Sequence, residues 1–231
     1  MSERNYYEAY DDRYRQVHNE NLQWASDRPS AIVSQVMERF QIGSSAWILE
    51  IGCGEGRDAG YLLEQGFDLL ATDVSGEAVE YCKRKYARWA DRFQVLDCLK
   101  DRLDTRFDFI YAVAVVHMLV EDGDRRGFYR FIRDHLTPDG AALICTMGDG
   151  TAEVRSNVDT AFQRQERTHQ ATGRALLLAG TSCRMVGFET FRRELAQNGL
   201  ELLEDGRTAM EPDFSQMMYA VVRRKEETGA S

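Results

Sequence analysis

Three acids stand in or just after short apolar runs: Glu50 within Trp47-Ile48-Leu49-Glu50-Ile51, Asp73 at the end of Asp68 to Asp73, and Asp97 after Arg92 to Leu96. A fourth run, Phe107 to Ala114, leads into Val115-Val116-His117-Met118-Leu119 and carries a histidine past its end. Carboxylates at such places take the hydroxyls and amines of a ligand, and an imidazole exchanges a proton near neutral pH. Burying Glu50 without a partner would cost about 2 kcal/mol or more, so it needs a donor or a cationic ligand. Asp73 lies 21 residues beyond Gly52. That is the separation at which a strand-helix-strand unit brings a carboxylate to ribose hydroxyls.

The elements that must position these groups begin with the first strand, which runs into Gly52-Cys53-Gly54-Glu55-Gly56. Glycines at alternate positions let the backbone turn sharply and approach a ligand closely. Arg57 to Gln65 then reads as a helix with Ala59, Leu62 and Leu63 on its apolar stripe and Gly66 as its stop. Its N-terminus would face the ligand with partial positive charge. A dinucleotide fingerprint needs Gly or Ala where Arg57 stands, which argues against NAD or FAD. Helical stripes recur over Arg28 to Gln41, over Val79, Cys82, Tyr86 and Trp89, and over Phe128 to Leu136, with a fifth strand at Ala141 to Met147. Strands alternating with helices predict a parallel sheet covered on both faces, with ligands beyond the carboxyl ends of its strands. Phe188 to Gln197 reads as a last helix, followed by strands at Leu200 to Glu204 and Met217 to Val222 with no helix between them. Those two should pair as an antiparallel hairpin.

With these landmarks in order, the chain resembles the class I S-adenosylmethionine-dependent methyltransferases over about residues 45–147. Glu50-Ile51-Gly52-Cys53-Gly54-Glu55-Gly56 matches that family's acid-plus-GxGxG first motif. Leu136-Thr137-Pro138-Asp139-Gly140 is similar to the turn before its fifth strand. The resemblance implies a Rossmann-like α/β fold with a seven-stranded, mostly parallel sheet and an antiparallel last strand. It implies S-adenosylmethionine as cofactor, with S-adenosylhomocysteine as product, bound by Glu50, Gly52, Cys53, Gly54, Gly56, Arg57, Asp73, Val74, Asp97, Cys98 and Ala114. Asp73 falls where the family binds ribose, and Asp97 with Cys98 where it contacts adenine. Arg57 fits a contact to the cofactor carboxylate and a surface ion pair equally well.

His117 is the candidate for acid or base work, and a hydrogen-bonded histidine that only shapes the pocket fits the same position. Methyl transfer is an in-line displacement that needs alignment and exclusion of water, and no metal. The remaining histidines, His18, His135 and His169, show no metal-ligand spacing. The pattern Gly54-Glu55-Gly56-Arg57-Asp58 is also similar to small bacterial tellurite- and thiopurine-type methyltransferases, which implies a small-molecule acceptor methylated at O, N or S. RNA or protein methylation, or a non-catalytic S-adenosylmethionine-binding regulatory protein, are the alternatives.

A net charge of −9 disfavours a polyanionic partner, and the [ND]PPY signature of base methylases is absent after the fourth strand. Five dispersed cysteines without a CxxC pair favour neither disulfides nor zinc. The apolar runs are too short to span a bilayer and the first residues lack a signal-peptide pattern, so a cytoplasmic monomer or homodimer is expected. In 231 residues with 43% apolar content, one domain is expected, with residues 1–27 as a lid and an insertion at 148–186, together forming a substrate cap. The lid offers Tyr7, Tyr10, Tyr14 and Trp24 as substrate contacts, although ordinary packing explains the tyrosine spacing equally well. The insertion offers Arg184 for a substrate carboxylate, and its stretch Ala152 to Thr172 reads as a polar helix. The tail Glu226 to Ser231 reads as disordered.

Overall fold

The structure is a computed structural model, and it describes residues 4–226. After a single 3-10 turn come α1 (Ala9–Asn19) and α2 (Ala31–Arg39). The core follows as β1 (Trp47–Ile51), α3 (Arg57–Glu64), β2 (Asp68–Asp73), α4 (Gly76–Lys85), β3 (Phe93–Val95), β4 (Phe107–Val113), α5 (Asp122–His135) and β5 (Leu136–Met147). The insertion contributes β6 (Val154–Arg155), β7 (Arg164–Thr168), β8 (Ala175–Ala179) and β9 (Arg184–Met185). Helix α6 (Phe188–Gln197) and the hairpin β10 (Leu200–Met210) and β11 (Phe214–Arg224) complete the chain.

The main sheet has the order β10-β11-β5-β4-β1-β2-β3. Strands β3, β2, β1, β4 and β5 run parallel, β11 lies antiparallel to β5, and β10 pairs antiparallel with β11. This is the expected doubly covered α/β sheet. Alternate residues of β1 divide between its faces: Ile48 packs with Val33, Leu62 and Val79, while Leu49 and Ile51 pack with Phe128, Phe131 and Phe191. The period of two along each strand thus feeds two separate cores. Helix α4 starts at Ser75, whose hydroxyl accepts the Ala78 N–H at 3.1 Å, and ends on Lys83, Arg84 and Lys85, which complement its dipole.

Several elements differ from expectation. Helix α4 stops at Lys85, and Ala87–Arg92 forms a 3-10 turn instead of continuing through Trp89. Strand β5 begins at Leu136, so Leu136–Gly140 belongs to the strand, and β10 and β11 are each longer than expected. The stretch Ala152 to Thr172 is not a helix: it holds β6, a 3-10 turn and β7. Its polar residues carry no helical apolar stripe, and β7 is held by its antiparallel partner β8. Leu176 and Leu178 of β8 supply the apolar face, packing on Val17 of α1. The expectation for the tail concerns residues that, beyond Glu226, lie outside the described ones.

Candidate functional site

The loop from β1 to α3 lies at the carboxyl edge of the sheet. Gly52 has φ +74°, and a Cβ there would stand 2.4 Å from the Val115 side chain, so the turn and its packing against the end of β4 both demand glycine. Gly56 serves differently from expectation. A Cβ there would meet Cys82 Sγ and Tyr86 at 2.9 Å, and the residue lines neither cavity of the site, so its function is close packing of the loop on α4.

Two adjoining cavities open over this edge and share Tyr10, Tyr14, Gly52 and Met118 as walls. The smaller, about 80 Å³, is a mostly apolar slot that also reaches Tyr7, Asp73, Val74, Asp97, Cys98 and Leu119. The larger, about 670 Å³, lies within the usual size range of small-ligand sites. Glu50, Cys53, Gly54, Arg57, Ala114 and His117 line it, as does Trp24. The structure therefore gathers nearly all the residues singled out from the sequence around one space.

Glu50 is 3% exposed, and its Oε2 has no hydrogen-bond partner among the described residues. The same is true of the Tyr111 hydroxyl, which sits at the register position beside Glu50 on β4. Burial, reinforced by Asp58, pushes the Glu50 carboxyl well above its ordinary range. Asp73 is better supported, since Oδ2 accepts the Gly54 N–H and Oδ1 the Ser75 N–H, each at 2.8 Å. Burial still raises it above the usual carboxylate value. These oxygens have lone pairs left to accept further donors. Asp97 is already engaged with the Tyr7 hydroxyl at 2.9 Å, the Leu99 N–H at 3.0 Å and Lys100 Nζ at 3.1 Å. Burial pushes the Cys98 thiol up to about 12, leaving it neutral. Ala114 holds φ +59°, a strained backbone of about 1–3 kcal/mol at the end of β4.

His117 follows in a 3-10 turn, 3% exposed, with its Nδ1 unpartnered and the Phe214 ring edge-on at 6.2 Å. Burial, with the Arg125 charge adding to it, pulls the imidazole down to about 3. The ring is neutral at physiological pH.

The N-terminal segment is fastened to the glycine loop by a residue that sequence reasoning passed over. Glu55 is buried and accepts the Trp24 and Ala25 N–H groups at 2.8 Å each, while His18 Nε2 lies 3.0 Å from Oε1 and Nδ1 lies 2.8 Å from Glu77. Burial lowers the His18 pKa, but the bonds to Glu55 and Glu77 outweigh it and the net shift is upward. Arg57 borders the larger cavity and is paired with Asp213 at 2.6 Å, with both side chains largely buried. Arg184 corrects an expectation. It lines neither cavity, because its guanidinium is taken by the Val120 carbonyl and by Asp122, with Glu194 at 3.8 Å. Arg13, Asp213, Phe214 and Arg167, which do line the larger cavity, were missed. They come from a helix interior, a hairpin turn and a polar strand that carry no motif. Among the described residues no group of three or more His, Cys, Asp or Glu is arranged to hold a metal, and no helix is long and apolar enough to cross a membrane.

Residues 49–142 match a family model described as a methyltransferase domain. A TehB-like SAM-dependent methyltransferase from Corynebacterium glutamicum superposes with a TM-score of 0.58 at 23% identity, over 95% of this chain and 98% of that one. The 1,6-didemethyltoxoflavin-N1-methyltransferase of Burkholderia thailandensis, solved with 1,6-didemethyltoxoflavin and S-adenosylhomocysteine bound, does so at 0.67 and 18% identity, over 94% and 88%. Among curated proteins, Hemagglutinin 1 of Eikenella corrodens is 29% identical over 135 residues, 58% of this chain. The match spans 44% of that relative, less than half its length. With the first-motif loop, the strand-end acids and the seven-stranded order all in place, the chain has a Rossmann-like α/β fold whose residues 49–142 match a methyltransferase-domain model.

Proposed function

We propose that the chain transfers the methyl group of S-adenosylmethionine to an O, N or S atom of a small-molecule acceptor. The observation that carries this reading is Glu50, a buried carboxyl with an unpartnered oxygen on the wall of a ligand-sized cavity, beside a glycine loop. An ammonium group is the ligand that satisfies such an oxygen, and the amino-acid end of the cofactor supplies one. In this reading Asp73 takes the ribose hydroxyls, while Val74, Asp97, Cys98 and Leu99 wall the adenine slot. The cofactor supplies an electrophilic methyl on a sulfonium.

The chain's own part is alignment and exclusion of water. Residues 1–27 and 148–186 act as a cap on a single domain, a reading supported by Tyr10, Tyr14, Trp24, Gln165 and Thr181, which come from these segments and line the larger cavity. A cavity of this size, bordered by residues of both capping segments, favours a small acceptor over a polymer. His117 orients the acceptor by accepting a hydrogen bond. An imidazole held at about 3 is too weak a base to remove a proton efficiently near neutral pH.

The test is turnover with methyl-labelled S-adenosylmethionine and a panel of small phenols, amines and thiols, read by mass spectrometry. Label on any panel member, absent in a Glu50→Ala variant, supports the reading. Label only on added RNA or protein would replace it with the polymer reading.

A further inference from the structure

We propose that the acceptor carries a carboxylate or similar oxyanion, which Arg13 and Arg167 hold in the part of the larger cavity walled by α1 and the insertion. This deepens, and rests on, the methyltransferase reading. Both residues line that cavity.

Arg13 is 7% exposed. Its Nε and Nη2 donate to the Ala179 carbonyl at 3.2 and 2.8 Å, and Nη2 also to the Gly180 carbonyl at 2.9 Å, fastening α1 to the end of β8. Its Cζ lies 5.2 Å from the Tyr10 ring centre and 4.9 Å from that of Trp24, so two aromatic rings hold the plane in place. Nη1 has no hydrogen-bond partner among the described residues. Other largely buried arginines of this chain have a carboxylate: Arg57 has Asp213, Arg125 has Glu194, and Arg184 has Asp122 and Glu194. Arg13 has carbonyl dipoles and rings but no counter-charge.

The second cation makes the imbalance larger. Arg167 pairs across the β7–β8 ladder with Leu176, so the two side chains share a face, and Leu176 packs on Val17 of α1. Arg167 is thereby aimed toward the helix that bears Arg13. Its one hydrogen bond among the described residues runs to Gln165 Oε1 at 3.0 Å. Burial lowers the Arg13 pKa and the Arg167 charge lowers it further, against the opposing influence of the Tyr10 and Tyr14 phenols. Two mutually repelling guanidinium groups facing one cavity, in a chain of net charge −9, form a site that an oxyanion completes. The planar fork of arginine suits a carboxylate best, with Nη1 of Arg13 as the free donor.

One other carboxylate competes for the assignment, that of the cofactor's own methionine portion, and the experiment separates the two. Protein saturated with S-adenosylhomocysteine is titrated with a panel of small aromatic and aliphatic carboxylic acids, each matched with its carboxamide. In parallel, S-adenosylhomocysteine and 5′-methylthioadenosine, which lacks the amino-acid end, are titrated into wild type, Arg13→Met and Arg167→Gln. We expect acids to bind about tenfold or more tightly than their amides, and Arg167→Gln to erase that preference while leaving S-adenosylhomocysteine affinity within about twofold. Equal binding of acids and amides across the panel would overturn the proposal while leaving donor binding intact. So would an Arg13→Met variant that loses S-adenosylhomocysteine but keeps 5′-methylthioadenosine, since Arg13 would then serve the donor. Arg167 is exposed on a surface strand, so its variant tests the proposal even if the Arg13 variant fails to fold. Failure of wild type to bind S-adenosylhomocysteine would instead remove the methyltransferase reading, and this inference with it.

Discussion

The half of the site formed by the sheet edge is walled, across its two adjoining cavities, by Glu50, Asp58 and Asp73, whereas the half formed by α1 and the insertion presents Arg13 and Arg167 to the larger cavity. The acidic half stands on β1, β2, the glycine loop and the first turn of α3, and parallel pairing fixes the backbone of its two strands. The basic half stands on a helix and a small separate hairpin, joined to the rest by side chains such as Glu55, Arg13 and His169, whose Nε2 lies 2.7 Å from the Gln23 carbonyl. A rigid half suits a cofactor that never changes. Under the proposed function, a half held to the sheet by side-chain contacts suits the acceptor, because its residues can change without disturbing the sheet.

The comparison breaks most sharply at Asp73. An Asp73→Ala variant should lose about a hundredfold or more in affinity for S-adenosylhomocysteine by calorimetry, because it removes the proposed ribose acceptor and orphans the Gly54 and Ser75 N–H groups. Unchanged affinity would mean the acidic half is not the donor site. Glu50→Gln should weaken S-adenosylhomocysteine about tenfold and leave 5′-methylthioadenosine unaffected. It should also change the pH dependence of the free protein. Because the folded-state carboxyl titrates above its unfolded value, the folded state keeps the extra proton. Its stabilising contribution is full below about pH 4 and is lost as pH rises through the raised value. Melting temperatures of wild type and variant should therefore diverge in the variant's favour as pH rises.

His117→Asn should lower kcat by about tenfold with the shape of its pH profile unchanged, as expected for a neutral orienting group. A loss of the alkaline or acid limb would restore a proton-transfer role. The smallest effect concerns the joint between the halves. His18 is held by Glu55 and Glu77, stacks on Tyr81 at 4.6 Å and lies near Arg84 through Glu77. Its folded pKa is raised, so its grip on the cap is complete below about pH 6.5 and declines as pH rises through the raised value. Amide hydrogen exchange at residues 18–25, corrected for intrinsic rate, should accelerate modestly across that window in wild type and be pH-independent in His18→Gln.

The acidic half was legible in the sequence because its signals are local. Glycines at fixed offsets, an acid 21 residues on, and apolar runs of strand length each reflect a backbone requirement that only certain residues meet. The basic half was not legible for the opposite reason. Strand β7, Arg-Gln-Glu-Arg-Thr, is fully exposed in pattern and takes its apolar support from Leu176 and Leu178 on its neighbour, so periodicity within the segment could not reveal it. Arg184 stood out by its place just before the last helix, yet the topology turns it toward Asp122 and Glu194. The tyrosines of α1 and of the turn before it were the one signal from this half that spacing did convey, with Tyr7, Tyr10 and Tyr14 all on cavity walls. Arg13 lay between them unnoticed, because a lone arginine on a helix reads as solvated until its surroundings are known.

The central claim is that the acidic half is a donor site for S-adenosylmethionine. Calorimetric titration of the wild-type protein with S-adenosylhomocysteine, alongside NAD, tests it most directly. The account predicts one site per chain with a Kd on the order of micromolar and no heat from NAD beyond dilution. Absence of S-adenosylhomocysteine binding, or equal binding of NAD, would contradict it.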